Sequence, residues 1–155
     1  MKKSILRILP ALLLLQALFF VRPSVAHAEE MTCPVPLSVI IDIKPAEVPN
    51  KINLSAKGVL AVAVLATSDF EASQFAPEMA HLTDASLPMS CAGAAAIRWS
   101  LEDVNKDGQL DMVFFFRIQE LNLTPSSTAA TLMAHGSYNS VATHIVGMDT
   151  VQIKP

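Results

Sequence analysis

Three consecutive stretches decide the fold. They are Ala95-Ala96-Ile97-Arg98-Trp99-Ser100-Leu101, then Glu102-Asp103-Val104-Asn105-Lys106-Asp107-Gly108-Gln109-Leu110-Asp111, then Met112-Val113-Phe114-Phe115-Phe116-Arg117-Ile118. The first alternates, with Ile97, Trp99 and Leu101 on one face and Arg98 and Ser100 on the other, the period of a half-buried strand. The third is an apolar run of strand length. Between them sits a polar loop with oxygen-bearing side chains at its positions 1, 3, 5 and 9 and a glycine at position 6. Calcium is a hard cation that takes six to eight oxygens, and a tight loop can wrap alternate side chains around it. A helix–loop–helix site needs a bidentate Glu at position 12. Here that position is Phe114 and the flanks read as strands, so the pattern is a strand–loop–strand calcium loop.

In that reading Asp103, Asn105 and Asp107 offer side-chain oxygens, Gln109 offers its main-chain carbonyl, and Asp111 supplies the closing carboxylate. Gly108 permits the left-handed turn that reverses the chain. Leu110 is expected to plug the core, and Glu102 adds negative charge beside the loop. Three carboxylates in an exposed setting suit a weak extracellular affinity, roughly 10⁻⁴–10⁻³ M or somewhat tighter. The competing reading is an Asx-rich hairpin turn, because Asn and Asp also satisfy turn backbones.

Outward from this centre, short apolar segments recur between turn signals. Leu37 to Ile43 is β-branched and stops at Lys44-Pro45; Lys51 to Leu54 alternates; Ser55-Ala56-Lys57-Gly58 is a turn. Val59 to Ala66 is a continuous apolar run whose length suits a strand buried on both faces. Residues 67–94 are rich in Ala, Ser and Thr and broken by Pro77, Pro88 and Gly93; they predict one short strand near Phe70–Phe75, then loops. Ala129 to His135 and His144 to Ile153 supply the last strands, joined by Gly136-Ser137-Tyr138-Asn139-Ser140. Seven or eight short strands and no long 3.6-residue period predict an all-β fold, an antiparallel β-sandwich of immunoglobulin-like type with one inserted calcium-type loop.

The N-terminus reads as an address. Met1, Lys2, Lys3 and Arg7 give a positive start, Ile8 to Val21 is nearly all apolar, and Ala26-His27-Ala28 presents small residues at the two positions a signal peptidase reads. Residues 1–28 are expected to be cleaved. The apolar stretch is short against the roughly 20 residues that cross a bilayer, and no second candidate span follows. Residues 29–155 then form one domain, either secreted or periplasmic. Removing Lys2, Lys3, Arg7 and Arg22 takes eleven basic residues to seven against fourteen acidic ones, a net charge of −7. That balance disfavours nucleic acid and anionic lipid and favours metal cations. Cys33 and Cys91 form an even pair in an oxidising compartment, which predicts a disulfide contributing on the order of 4 kcal/mol.

A resemblance adds to this. Ile41-Asp42-Ile43-Lys44-Pro45, Pro49-Asn50-Lys51-Ile52-Asn53-Leu54 and Ser55-Ala56-Lys57-Gly58-Val59-Leu60-Ala61-Val62-Ala63-Val64-Leu65, with Glu102 to Asp111 and Phe116-Arg117-Ile118-Gln119-Glu120, resemble a recurring β-domain of exported bacterial proteins. Its pattern runs I-D-I-K-P-G…P-N-x-I-N…S-K-G-V, then E-D-V-[DN]-x-D-G-x-x-D. The resemblance covers most of residues 37–155 and implies a calcium-loaded β-domain, not an activity. Ala46 stands where the pattern has Gly, and Ala61 where it has Pro.

The remaining chemistry-bearing residues read as structural. His81, His135 and His144 lie in separate segments without the pairing of a transition-metal site. Met79, His81, Met89 and Cys91 read as loop and packing residues, not as a copper set, and Trp99 and Tyr138 as core aromatics. No Gly-flanked Ser or Cys nucleophile, no acid pair outside the loop and no phosphate loop is present, so no enzymatic activity is expected. The expected role is a non-catalytic calcium-binding module with a structural or binding task, its partners calcium and a surface protein or glycan. The alternatives are an adhesin-like module binding carbohydrate or matrix, and a secreted hydrolase.

Overall fold

The computed structural model describes residues 36–88 and 93–154, all within one compact unit. The expected signal segment 1–28, Met89 and the expected disulfide partners Cys33 and Cys91 lie outside the described residues. The fold is all-β. Among the described residues ten strands run in chain order: β1 Leu37–Ser38, β2 Ile41–Ile43, β3 Lys51–Asn53, β4 Val59–Val64, β5 Phe75–Asp84, β6 Ala94–Glu102, β7 Asp111–Arg117, β8 Ala129–Tyr138, β9 Val141–Thr150 and β10 Gln152–Lys154. Among the described residues there is no α-helix, only single 3₁₀ turns at Ala72–Gln74 and Ile118–Glu120.

The centre of the sheet follows from the hydrophobic pattern. β7 places Met112, Phe114 and Phe116 inward, and antiparallel β4 sets Val64, Val62 and Leu60 opposite them. Each of these six side chains is at most 2 % exposed, and full burial of one such residue contributes about 1.5–3 kcal/mol. The sheet order is β1-β9-β8-β5-β6-β7-β4-β2, with β3 and β10 paired parallel as a separate ribbon. It is one curled, mostly antiparallel sheet, a half-barrel, where two facing immunoglobulin-like sheets were expected. The cause lies in residues 37–43. Read as one strand, this stretch divides its pairing: Leu37–Ser38 runs along β9 and Ile41–Ile43 along β4, so a single short segment serves both sheet edges. Gly147 on β9 makes that passage possible, since a Cβ there would stand 2.4 Å from Ile41 Cγ2 and 2.9 Å from the Val39 carbonyl oxygen.

The segment 67–94 departs most from expectation. It carries a ten-residue strand, β5, paired along its length with β8. Pro77 does not end this strand because it sits where the register shifts between Pro77 and Met79; a bulge tolerates a residue without an N–H. Similarly, Gly136 does not end β8. It lies flat against β5, where a Cβ would meet the Ala76 carbonyl oxygen at 2.2 Å. The β8–β9 reversal is made by Asn139 and Ser140, with φ of 50° and 65°, the two-residue hairpin geometry that matches strand twist.

Two expected core residues are outside it. Ile97 and Trp99 are 44 % and 48 % exposed. A register shift between Ala96 and Arg98 interrupts the alternation of β6, and β6 pairs with β5 only through Ala94 and Ala95. Beyond that pair the two strands have no mutual ladder, and Trp99 opens onto a cleft of about 280 Å³ shared with Met79 and Ala80. Arg98 also borders this cleft, its guanidinium 3.4 Å from the Phe115 ring centre, a cation–π contact.

Candidate calcium-type loop

Loop 103–110 hangs between β6 and β7 and is closed at its base by the cross-strand pair Glu102 and Asp111. Its shape comes from carboxylate and amide oxygens accepting the loop's own N–H groups. Asp103 takes the Asp107 amide at 3.1 Å on Oδ1 and the Gly108 amide at 3.0 Å on Oδ2. Asn105 Oδ1 also accepts from the Asp107 amide, at 3.0 Å, and Asp107 Oδ1 accepts from the Gln109 amide at 2.8 Å. The last two are Asx turns. The chain reverses through Lys106 at φ 63° and Gly108 at φ 87°. A Cβ on residue 108 would meet nothing within 4 Å, so glycine is needed there for its backbone angle and not for space.

Asp103, Asn105, Asp107 and Gln109 are all exposed. Each carboxylate or amide oxygen that accepts one N–H keeps a second lone pair, so the outer loop presents hard donors suited to calcium or another hard cation. The Asn105 side-chain amide donates to Asp107 Oδ2 at 2.9 Å. Asp111 is different. It is fully buried; its Oδ1 accepts the Ala66 amide at 2.8 Å and its Oδ2 the Val104 amide at 3.0 Å. Its carboxylate ties the end of β4 to the start of the loop. Asp111, not Leu110, is the residue that turns inward: Leu110 is 48 % exposed. Glu102 stays on the surface, accepting the Ser100 hydroxyl at 2.7 Å. Among the described residues, no three His, Cys, Asp or Glu side chains converge as a metal-holding group. A cation here would rest on Asp103, Asn105, Asp107 and the Gln109 carbonyl, with Asp111 bracing the base.

Beside the loop lies a cleft of about 520 Å³ that the sequence did not reveal. Gly108, Gln109 and Leu110 form one wall and residues 66–71 the other, with Tyr138 at its floor. Tyr138 stacks on Phe70 at 5.0 Å between ring centres, and its hydroxyl accepts the Glu71 amide at 3.0 Å. Asp69 and Glu71 make this wall acidic. The segment 67–71 and the loop are about forty residues apart in sequence and are brought together by the β4–β7 ladder, with Val64 opposite Met112, and by the Asp111 carboxylate on the Ala66 amide. Among the described residues, no helix is long and apolar enough to cross a membrane.

No family model matches the chain, and no curated protein is detectably similar to it.

Proposed function

We propose that this chain is an exported, non-catalytic β-module that binds calcium at Asp103, Asn105, Asp107 and Gln109, with Asp111 as the buried brace, and serves a structural or binding role in the envelope or outside the cell. The observation that carries the reading is the loop itself: three oxygen side chains at alternate positions, held by the loop's own amides, with Gly108 at φ 87°. Calcium adds what those hydrogen bonds leave out, a positive charge between Asp103 and Asp107. Cleavage after Ala28 and a Cys33–Cys91 bridge belong to the same reading, since both follow from export. The resemblance to the exported β-domain is supported by Ala46, which stands at φ 73° where that pattern carries Gly.

The test is a thermal melt in millimolar calcium and in chelator, with calorimetric titration alongside. The expected result is a rise in melting temperature of RT ln(1 + [L]/Kd) origin, abolished in Asp103→Ala. No shift and no heat of binding would refute it.

A carbohydrate- or matrix-binding role is the second reading, supported by Trp99, exposed at the mouth of the cleft between β5 and β6. An exposed indole face suits stacking on a sugar ring. Glycan-array binding that disappears in Trp99→Ala would favour it over a purely structural module.

A further inference from the structure

His81 on β5 shares one face of the sheet with His135 and His144 of the β8–β9 hairpin. In β5 past its bulge, Ala80 and Leu82 point to the core; in β8, Leu132 and Ala134; in β9, Ile145. The alternate residues therefore point to the opposite face of the sheet, which is buried at Thr83 and Thr131 and more open toward Met79, and the register aligns them in rows across three strands. One row is Met79, His135 and His144; the next is His81, Met133 and Val146; the third is Thr83, Thr131 and Met148. The His135 and His144 rings meet edge-on with centres 4.2 Å apart. Directly opposed side chains on a sheet have Cβ atoms about 4.5–5.5 Å apart, and diagonal neighbours about 7–8 Å. The five donors Met79, His81, Met133, His135 and His144 thus occupy one small patch.

The bulge selects the chemistry of that patch. Ala76 and Pro77 pair with Ser137 and Gly136, so an unbroken register would set Glu78 opposite His135. The register shift skips Glu78 and brings Met79 there instead, a thioether in place of a carboxylate. Bulges re-aim side chains in this way. His81 adds a second sign: its Nδ1 is buried and has no hydrogen-bond partner.

We propose that this face is a binding site for a soft monovalent metal ion, Cu(I), held by the imidazoles of His135 and His144 and the thioether of Met79, with His81 and Met133 as the adjoining donors. Imidazole with thioether is the donor set that favours Cu(I) over hard cations, since carboxylate and carbonyl oxygens serve calcium and magnesium. The site is separate from loop 103–111 in residues and in ligand class. The ion binds without change of oxidation state, so no electron acceptor is involved. The histidines by themselves form no three-membered cage; the sulfur of Met79 completes the set.

The experiment is an anaerobic Cu(I) titration of the purified protein against a chromogenic Cu(I) chelator, with Ag(I) as a redox-inert probe. Methionine-methyl and imidazole resonances are followed by NMR, which locates the ion even if cysteine thiols also bind it. The expected result is one equivalent taken up, shifts at the Met79 methyl and the His135 and His144 rings, and at least about a tenfold loss of affinity in His144→Gln and in Met79→Leu. Both variants are to be checked for an unchanged circular dichroism spectrum. Added calcium should move none of these resonances. The proposal is overturned if the Met79, His135 and His144 signals stay in place while the ion binds elsewhere, if both variants bind as the parent does, or if Zn(II) is preferred to Cu(I).

Discussion

Asp111→Ala is expected to separate the mechanical part of the 103–111 loop from the calcium binding proposed for it. The Asp111 carboxylate accepts two backbone amides, that of Ala66 at 2.8 Å in a buried setting and that of Val104 at 3.0 Å in a partly buried one. Deleting it leaves both donors without their acceptor. An unsatisfied buried donor costs about 1–3 kcal/mol; water can replace the acceptor for Val104 more readily than for Ala66. The expected loss is therefore about 2–4 kcal/mol, a fall in melting temperature of roughly 8–15 °C for a domain of this size. Asp111→Asn keeps one acceptor oxygen and should lose about half as much. The assay is urea and thermal unfolding in chelator, where no cation contributes. Asp103→Ala serves as the contrast: its acceptor bonds are exposed, so its cost in chelator should stay near 1 kcal/mol while it removes the calcium-dependent rise. A loss below about 1 kcal/mol for Asp111→Ala in chelator, or equal losses for the two sites, would refute the division of labour.

Further outcomes are expected elsewhere. Ala46 sits at φ 73° on the surface, so Ala46→Gly should stabilise by about 0.5–1 kcal/mol in urea unfolding, relieving the cost of a Cβ in the left-handed region. Gly147→Ala should cost about 2–3 kcal/mol by the same assay, because the new methyl collides with Ile41 and the Val39 carbonyl. Trp99→Ala should cost under about 1.5 kcal/mol against about 3–5 for Phe114→Ala, and the emission of this single tryptophan should be red-shifted and open to acrylamide quenching. The Asp84 carboxyl is held below the usual range by the Ser127 hydroxyl, then by the Ser86 amide and hydroxyl. Its folded value being depressed, the stability it brings is present above the ordinary carboxylate value near 3.8 and is lost as pH falls through the folded value. Ser127→Ala should therefore move acid unfolding to higher pH, with the Asp84 carboxyl carbon titrating higher by NMR.

Strand identity was largely legible in the chain because it depends on local alternation and turn chemistry. The runs read as Val59 to Ala66 and Met112 to Ile118 form the strands Val59–Val64 and Asp111–Arg117, and the polar loop lies between Glu102 and Asp111 as its pattern put it. Breakers misled where tertiary contacts absorbed them. Pro77 is accommodated by a bulge, and Gly136 is required by the close passage of Ala76, so residues 75–84 form a full strand from a segment that reads as loop. The pattern of β6 misled for a different reason: Trp99 keeps the face of its buried partner Phe114, but β5 pairs with β6 at Ala94 and Ala95 alone, so the indole is left 48 % exposed.

The sequence by itself determined the all-β character and the spacing of oxygens in the calcium-type loop, since both are set by neighbours a few residues apart. Tertiary structure alone decided that Asp111 would reach across forty-five positions to the Ala66 amide, that residues 37–43 would serve both edges of a curled sheet, and that Met79, His135 and His144 would share a row. Each of these depends on register, and register between distant strands is fixed by bulges and buried packing that no local window contains.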